Sequence, residues 1–571
     1  MRIKFHGAIG TVTGSCYELY DEREDIRFLV DCGMKQGEDD AAEWNGRPFP
    51  FDSKSLDFVV LTHAHLDHCG LIPLLYKRGF KGEIYCTKET AELAKIVLKD
   101  ACKHSELFSK KDVANIQWRQ HGGESVLRTW HEAKGDIRFR YLRSAHVLGA
   151  TSVEFWWGKG TLEKKILFSG DIGNNRRGEE FQPLMRHAML PDCAGAESRY
   201  VVMESTYGAR DMKPNARCFD HRLAQLRSHI AHTVRHKQGT LVIPCFAVNR
   251  TQDVLFDLHY LFASHRELKD IPVYFDAKMA GHVNKIYAGA LGRMGSELEG
   301  YDVSDKKPLW LNERLFDWMS LDSNNRDDRY LLLDLLQEML VADITIAGER
   351  KKSRSKIVRR WRRVWRSANS GRRMEAEVGG PCIVVTGGGM CDGGPVVNYL
   401  KKLARDERHT FLLTGYCAPS TNGGKLQMLA EKSAEERRDL ADTLRWERGQ
   451  VLPCSAIQAN IERIRGYSGH ADRKRLIDWL FPSNSTPRRP VGSTVFLTHG
   501  NDDAREALRK SLRCYARRLT REEGGIQRNL SIELPKPESG WFDLEAGHWL
   551  DTARRSVTAG NSAKFRIPAL I

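Results

Sequence analysis

Short apolar runs rich in β-branched residues recur along the 571-residue chain, and polar residues bound each of them. Such runs predict buried strands. The stretches between them include helical patterns, as at 87–98, where apolar residues recur about every 3.6 positions and charges occupy the other face. Strands that alternate with helices are typical of the α/β class. Strands are expected at 15–20, 27–33, 56–61, 165–168, 200–204, 240–244, 381–386 and 495–499, and helices at 69–76, 86–131, 250–255, 473–480 and 504–521.

Histidine and aspartate residues follow the predicted strand at 56–61, in the stretch His63-Ala-His65-Leu-Asp67-His68. In open α/β sheets, ligands and reacting groups lie at the carboxyl ends of strands. Extended backbone directs residues two apart to the same side, so His63 and His65 can bind one metal ion together. Asp67 and His68 lie past the bend and can reach a second ion nearby. Imidazole and carboxylate are ligand types that zinc prefers in catalytic sites.

The same residue types recur at other predicted strand ends and loops. Asp31 fits either a turn residue or a carboxylate that orients a metal-bound histidine. His146 taken alone fits a structural histidine as well as a ligand, whereas Asp171 has two carboxylate oxygens and can bind one ion with each. His499 ends the run at 495–499. This recurrence predicts two divalent ions about 3.5–4 Å apart, an arrangement suited to attack on a phosphate ester.

Composition excludes several protein classes. Apolar residues make up 41% and aromatic residues 9%, as in globular proteins, and 571 residues predict two or three domains. No apolar run approaches the ~20 residues needed to cross a bilayer, and the N-terminus lacks a secretory signal, so a cytoplasmic location without membrane association is expected. Thirteen cysteines without a CxxC pair indicate reduced thiols. The net charge of +15 favours an anionic partner such as nucleic acid.

The densest positive charge lies between Arg350 and Arg373, where twelve lysines and arginines occur without an acidic residue. Apolar residues recur at helical spacing within this stretch, which predicts a helix that docks through an apolar stripe and faces its arginines outward. The stripe comprises Ile357, Trp361, Val364 and Trp365. The arginines expected to guide RNA phosphates are Arg359, Arg362 and Arg363. A solvated face without a ligand is the alternative.

A glycine-rich loop at 387–395 follows the predicted strand at 381–386. Glycines let backbone N–H groups approach an anion closely, although a tight structural turn has the same composition. Candidate RNA contacts in this part of the chain are Thr386, Gly387 and Arg250, the last at the start of a predicted helix.

Together these motifs resemble the β-CASP family of metallo-β-lactamase-fold nucleases, which includes RNase J and the endonuclease subunit of the pre-mRNA cleavage and polyadenylation factor. The resemblance covers nearly the whole chain. The first four family motifs match Asp31, the stretch 63–68, His146 and Asp171. Three further motifs match Glu204 in Glu-Ser-Thr-Tyr-Gly, His470 in Ser-Gly-His-Ala-Asp and His499 in Thr-His-Gly.

The resemblance implies an α/β fold with two units. A metallo-β-lactamase αββα sandwich would be built from residues 1–207 and 441–571. A β-CASP α/β domain at 208–440 would be inserted between them, and the basic stretch at about 345–375 would be an addition to that domain. The active site is expected in the cleft where the two units meet.

The resemblance also implies two zinc ions. One would be held by His63, His65 and His146, and the other by Asp67, His68 and His499, with Asp171 as the bridge. Asp31 would orient a ligand, and His470, held by Glu204, would act as the general acid. The residues expected to act in catalysis are Asp67, Glu204 and His470. The chain departs from the family at Asn249, where glycine is common, and at Asn501, where an acid is common, so substrate contacts can differ.

The implied activity is zinc-dependent hydrolysis of single-stranded RNA by a two-metal-activated hydroxide, with endonucleolytic cutting as the expected mode. RNA-cleaving members of the family carry a histidine at the seventh motif, so His499 favours RNA over DNA. The alternatives are a DNA nuclease of the same family, a non-catalytic scaffold in an RNA-processing complex, and a small-molecule hydrolase. Intact motifs argue against the scaffold, and the inserted domain and basic charge argue against the small-molecule hydrolase. A homodimer and a protein partner for the basic insertion are further expectations.

Overall fold

The computed structural model describes residues 1–38, 40–103, 105–122, 126–158, 164–174, 198–212, 219–268, 271–297, 365–367, 379–446, 449–482, 493–522 and 530–550. These residues form two large sheets, a third sheet of six strands and one separate hairpin. No helix in these ranges combines the length and the apolar content that a membrane crossing requires.

The N-terminal part contributes most of the two large sheets. Its strands are β1 (Arg2–Phe5), β2 (Cys16–Asp21), β3 (Ile26–Cys32), β4 (Phe58–Val60), β5 (Glu83–Thr87), β6 (Trp118–His121), β7 (Trp130–Lys134), β8 (Ile137–Arg143), β9 (Thr151–Trp157), β10 (Lys164–Phe168) and β11 (Tyr200–Glu204). Its helices are α1 (Ala41–Gly46), α2 (Leu66–Cys69), α3 (Ile72–Lys77), α4 (Lys88–Ala101) and α5 (Lys110–Ala114), with a 3₁₀ turn at Ser53–Ser55.

The middle part forms the third sheet and its helices. Its strands are β12 (Thr240–Cys245), β13 (Val273–Asp276), β14 (Trp365–Ser367), β15 (Cys382–Gly387), β16 (Thr410–Leu413), β17 (Thr443–Trp446), β18 (Gln450–Pro453) and β19 (Asn460–Arg463). Its α-helices are α6 (Phe219–Ile230), α7 (Arg250–Ser264), α8 (Lys278–Glu297), α9 (Val396–Leu403), α10 (Asn422–Leu429) and α11 (Ala434–Arg438). A π-helix at Ala231–His236 extends α6, and 3₁₀ turns lie at Arg266–Leu268 and Cys454–Ala456.

The last part returns to the two large sheets. It contains the helices α12 (Arg473–Leu480) and α13 (Asp502–Glu522) and the strands β20 (Thr494–Thr498), β21 (Ser531–Glu533), β22 (Phe542–Asp543) and β23 (His548–Trp549). β20 pairs in parallel with β11, and β22 pairs with β1. The chain therefore leaves the large sheets after β11 and rejoins them at β20, so the middle part is an insertion.

The two large sheets face each other. One has the order β23-β22-β1-β2-β3-β4-β5-β6, and the other β21-β20-β11-β10-β9-β8-β7. Alternate side chains of both sheets point inward, and aromatic residues such as Phe28, Phe155 and Phe168 fill the space between them. α3, α4 and α5 cover the outer face of the first sheet, and α12 and α13 cover the second. The expected αββα sandwich is confirmed.

The inserted sheet has the order β14-β13-β15-β12-β16-β19, and all of its strands run parallel. Its strands are apolar on both faces because helices cover both sides, as parallel sheets require. α6, α7 and α8 cover one face, and α9, α10 and the β17–β18 hairpin cover the other. α8 also packs against α4 of the sandwich, and one continuous apolar cluster spans both units.

Three expectations need correction. The helical pattern at 86–131 is wrong beyond α5, because β6 and the start of β7 pair with sheet neighbours at the two sheet edges. The inserted sheet takes its last strand, β19, from beyond the expected boundary at residue 440, and the β17–β18 hairpin packs on the same unit. The helix expected across the basic stretch fails at Trp365–Ser367, which is the edge strand β14. The rest of that stretch lies outside the described residues.

Candidate metal centre

The carboxyl ends of the sandwich strands converge on one polar centre. Asp31 belongs to β3, the stretch 63–68 follows β4, Asp171 follows β10, Glu204 ends β11, and His499 follows β20. Gly33, after β3, permits this convergence, because a Cβ there would lie 1.7 Å from the Asp67 carbonyl oxygen. Strand order therefore brings residues that are hundreds of positions apart into contact.

His63, His65 and His146 form the first ligand cluster with one oxygen of Asp171. His65 Nδ1 lies 3.1 Å from His63 Nε2 and 3.0 Å from His146 Nε2. Asp171 Oδ2 lies 3.5 Å from His63 Nε2 and 3.3 Å from His146 Nε2. Three imidazole nitrogens and one carboxylate oxygen thus face a common point.

Asp67, His68 and His499 form the second cluster. His499 Nε2 lies 3.2 Å from His68 Nε2 and 3.3 Å from Asp67 Oδ2. The other oxygen of Asp171, Oδ1, lies 3.2 Å from His68 Nε2 and 3.4 Å from His499 Nε2. Asp171 therefore presents one oxygen to each cluster.

These donor sets fit divalent metal ions. A tetrahedral zinc site with bonds of about 2.0–2.1 Å separates its ligand atoms by about 3.3–3.4 Å, close to the spacing in both clusters. Asp171 Oδ1 is buried beside the ring nitrogens of His68 and His499 but makes no hydrogen bond of good geometry among the described residues, so a cation between these atoms would satisfy it. With this centre, the fold defines a metal-binding site.

In four of the candidate ligand histidines, the ring nitrogen that does not face its cluster is contacted by a hydrogen-bonding group. Asp31 Oδ2 lies 2.7 Å from His68 Nδ1 and also accepts from the Thr62 hydroxyl. The same hydroxyl lies 3.1 Å from His63 Nδ1. His146 Nδ1 lies 3.0 Å from the Gly469 carbonyl oxygen, and His499 Nδ1 lies 3.0 Å from the Thr206 hydroxyl. Such partners fix the ring orientation of metal-bound histidines.

Burial and charge set the protonation of the centre. Burial lowers the pKa of His63 to about 3, and it also lowers the pKa values of His65 and His146, so these three histidines are neutral and ready to bind metal. For His68, burial acts in the same direction, but the carboxylates of Asp171 and Asp31 outweigh it and hold the pKa well above its usual value. Metal binding at the second cluster must therefore displace a proton from His68.

His470 lies beside the metal centre on the loop before α12. Its Nδ1 is 3.3 Å from Glu204 Oε2, and its Nε2 is 3.8 Å from Asp171 Oδ2. Burial opposes protonation, but Glu204 and Asp171 outweigh it and raise the pKa of His470 to about 10. Bound divalent cations would lower this pKa again. Asp472 holds the loop end, because its side chain accepts from Arg475 N at the start of α12.

The other predicted RNA contacts are distributed over the insertion. Arg250 is the first residue of α7 and is buried, with its guanidinium carbon 5.5 Å from the ring centre of Tyr467. Thr386 is buried at the end of β15, and its hydroxyl donates to the carbonyl of Gly387. RNA contact by these residues stays a prediction. Arg359, Arg362 and Arg363 lie outside the described residues.

Sequence reasoning missed the residues that orient the ligands. Thr62, Thr206 and Gly469 each contact a candidate ligand histidine through the bonds described above. Thr62 directly precedes His63, and Thr206 lies two residues after Glu204, so proximity to the motifs was the only available signal. The sequence alone does not tell which histidine each of these three residues contacts, because that depends on the order of the strands in the sheets.

Comparison with known proteins places this fold and site in a defined class. Residues 9–191 match the metallo-beta-lactamase superfamily, residues 251–426 match the Beta-Casp domain, and residues 456–529 match the Zn-dependent metallo-hydrolase RNA specificity domain. The class is therefore a metallo-β-lactamase-fold hydrolase with an inserted domain. The chain belongs to the β-CASP family of these proteins.

Relatives match over most of their length. A protein named Ribonuclease TTHA0252 from Thermus thermophilus is 28% identical over 90% of this chain and 96% of its own. An RNase J-like protein from Methanocaldococcus jannaschii is 28% identical over 84% of this chain and 89% of its own. A transcription termination factor, FttA, from Methanosarcina mazei is 25% identical over 92% of this chain and 71% of its own.

Proposed function

We propose that the protein is a ribonuclease that uses two zinc ions to hydrolyse phosphodiester bonds in single-stranded RNA, cutting endonucleolytically. The observation that carries this proposal is the position of Asp171, whose two oxygens face two separate ligand clusters. The relatives named as ribonucleases and the match to an RNA specificity domain support RNA as the substrate class. The net charge of +15 also suits a polyanion.

Each cluster has a defined part in this proposal. His63, His65 and His146 would hold one ion, and Asp67, His68 and His499 would hold the other, with Asp171 between them. When bound, the ions would activate a water molecule for attack on phosphorus and offset the charge that develops on the phosphoryl oxygens.

The remaining residues would act on protons and orientation. His470 faces the centre and is held by Glu204, which itself accepts from the backbone N–H of Ile172 at 2.5 Å. This contact keeps Nδ1 engaged and leaves Nε2 directed at the metal centre, so His470 can donate a proton to the leaving oxygen. Asp31 and Thr62 would keep His68 and His63 in the orientation that binding requires.

Cleavage of labelled single-stranded RNA and matched DNA tests this proposal. Purified protein would be assayed with and without zinc, beside a variant that carries both His65→Ala and Asp67→Ala. We expect the wild type to cut RNA at internal positions, and we expect the double variant and the zinc-free protein to be inactive. Zinc-loaded protein that cuts neither polymer would contradict the enzyme assignment, and release of single nucleotides from one end would contradict the endonucleolytic mode. A cytoplasmic location, a homodimer and a protein partner for the basic insertion stay predictions from the sequence.

A further inference from the structure

The guanidinium group of Arg250 is buried, and two of its nitrogens have no hydrogen-bond acceptor among the described residues. The residue is 8% exposed, and its Nε and Nη1 atoms have no hydrogen-bond partner among the described residues. Two other buried arginines, Arg222 and Arg437, have hydrogen-bond partners. Arg222 pairs with Asp257, and Arg437, 7% exposed, donates to the carbonyls of Leu429, Lys432 and Ala459. A buried cation without a partner is costly, so the position of Arg250 requires another explanation.

Strained backbone holds Arg250 in this position. Asn249 has φ +65° and ψ −53°, and the N–H of Arg250 donates to the carbonyl of Val248 at 2.8 Å. Together these define a tight three-residue turn of the rare, strained type. Neighbours fix the turn, because the Asn249 side chain donates to Asp253 and accepts from the hydroxyl of Tyr287. Strain of this kind persists where the surroundings over-determine it, often at ligand sites.

The guanidinium is directed toward the loop that carries His470. It lies over the ring of Tyr467, whose hydroxyl donates to Asp257 Oδ2 at 2.7 Å. Arg222 donates to the carbonyl of Gly466 in the same loop. The Tyr467 ring is therefore fixed between the guanidinium of Arg250 and the buried Arg222–Asp257 ion pair, three residues before the proposed general acid.

We propose that Arg250 binds a backbone phosphate of single-stranded RNA next to the scissile phosphate, on the side of the cleft formed by the inserted domain. The inference rests on the proposed ribonuclease function. A phosphodiester offers two charged, non-bridging oxygens that match the planar fork of a guanidinium. A phosphate that reaches the guanidinium would supply acceptor oxygens to a group that the described residues leave short of them.

The test combines Arg250→Gln with RNA in which one phosphate at a time is a neutral methylphosphonate. We expect Arg250→Gln to lower kcat/KM for unmodified RNA by about 10- to 100-fold, the effect of losing a charge-assisted contact. At one position, the methylphosphonate should lower kcat/KM of the wild type by a similar factor. The same substitution should lower kcat/KM of Arg250→Gln only a little further. The slope of log Kd against log salt should also become shallower by about 0.7 in the variant, as expected for one lost phosphate contact on a single strand.

Unfolding temperatures and a control variant at a second buried arginine distinguish phosphate binding from a structural role of Arg250. Arg250→Gln should unfold at the same temperature as the wild type or higher, because it removes a buried charge whose Nε and Nη1 make no hydrogen bonds. Arg437→Gln is the control, since it breaks satisfied bonds and should lower the unfolding temperature without changing the salt slope. Arg250→Lys should recover part of the activity, because it restores the charge without the fork.

The outcomes distinguish the two proposals. If the wild type cuts RNA, and each methylphosphonate lowers kcat/KM by the same factor in the wild type and in Arg250→Gln, the proposed phosphate contact is wrong. The ribonuclease function would then still stand. A destabilised Arg250→Gln with an unchanged salt slope would likewise assign Arg250 to structure alone. If the wild type neither binds nor cuts single-stranded RNA, both proposals fail.

Discussion

Replacing Asp31 with asparagine should weaken one of the two proposed zinc sites selectively. The Asp31 carboxylate is 1% exposed and accepts from the backbone N–H and the hydroxyl of Thr62, both at 2.8 Å, while its Oδ2 lies 2.7 Å from His68 Nδ1. Asparagine keeps one acceptor oxygen but removes the charge. The bond that orients His68 then changes from a charge-assisted one to a neutral one.

The size of the effect follows from that change. Charge-assisted hydrogen bonds contribute about 1.5–3 kcal/mol and neutral ones about 0.5–1.5 kcal/mol, so the loss is about 1–1.5 kcal/mol. Each 1.4 kcal/mol is about a factor of ten in affinity. We therefore expect the weaker site of Asp31→Asn to bind zinc about tenfold less tightly, at the lower end of the roughly 10- to 100-fold range typical for residues that support metal ligands.

Competition against a chromophoric chelator measures both affinities in one titration. Asp21→Asn is the matched control, because Asp21 is equally buried at 1% on the adjacent strand but pairs with Arg23, away from the metal centre. The first cluster should retain its affinity, since none of its histidines contacts Asp31. Equal weakening of both sites, or no weakening of either, would refute the assignment of Asp31 to His68.

Three further predictions concern the surrounding residues. Glu204→Gln should lower the single-turnover cleavage rate by about 10²- to 10⁴-fold with little change in KM, because His470 loses the carboxylate that favours its proton. Asp257→Asn should lower the free energy of unfolding by about 3–5 kcal/mol in denaturant titrations, because it removes the carboxylate that pairs with the buried Arg222. Burial and a neighbouring histidine lower the pKa of His121 from 6.5 to about 4, so the unfolded chain takes up this proton first. Stability should therefore fall as pH drops from 6.5 to about 4, and less so in His121→Gln.

Controls are available for each of these. Glu154→Gln alters another fully buried glutamate, one that bonds Arg140 and lies outside the metal centre, and should leave the reaction rate unchanged. Asp406→Asn breaks an exposed pair with Arg408 and should cost at most about 1 kcal/mol. An equal loss of rate in Glu154→Gln would contradict the prediction for Glu204. Equal destabilisation by Asp406→Asn and Asp257→Asn would contradict the prediction for Asp257. A stability of His121→Gln that falls with pH as steeply as that of the wild type would contradict the prediction for His121.

The alternation of strands and helices predicted the fold class, and residue type at strand ends pointed to the candidate ligands that the structure brings together. Histidine and aspartate after apolar runs were visible in sequence because the runs mark strands and the polar residues mark their carboxyl ends. By contrast, Trp118–His121 has no apolar alternation, and its strand forms because β5 offers an edge to pair with. The contact of Asp31 with His68 was equally hidden, since 37 positions separate them and only the pairing of β3 with β4 brings them together.

Chain order has a consequence for protein synthesis. The first cluster is complete once Asp171 has left the ribosome, but the second waits for His499, and the proposed general acid arrives only at residue 470. At about 5–20 residues per second, the interval between Asp171 and His499 lasts on the order of tens of seconds. A nascent chain would thus carry all residues of the first cluster while it lacks groups that the proposed reaction needs. If the proposed ribonuclease function holds, the messenger being translated would be spared until the last strands of the sandwich are in place.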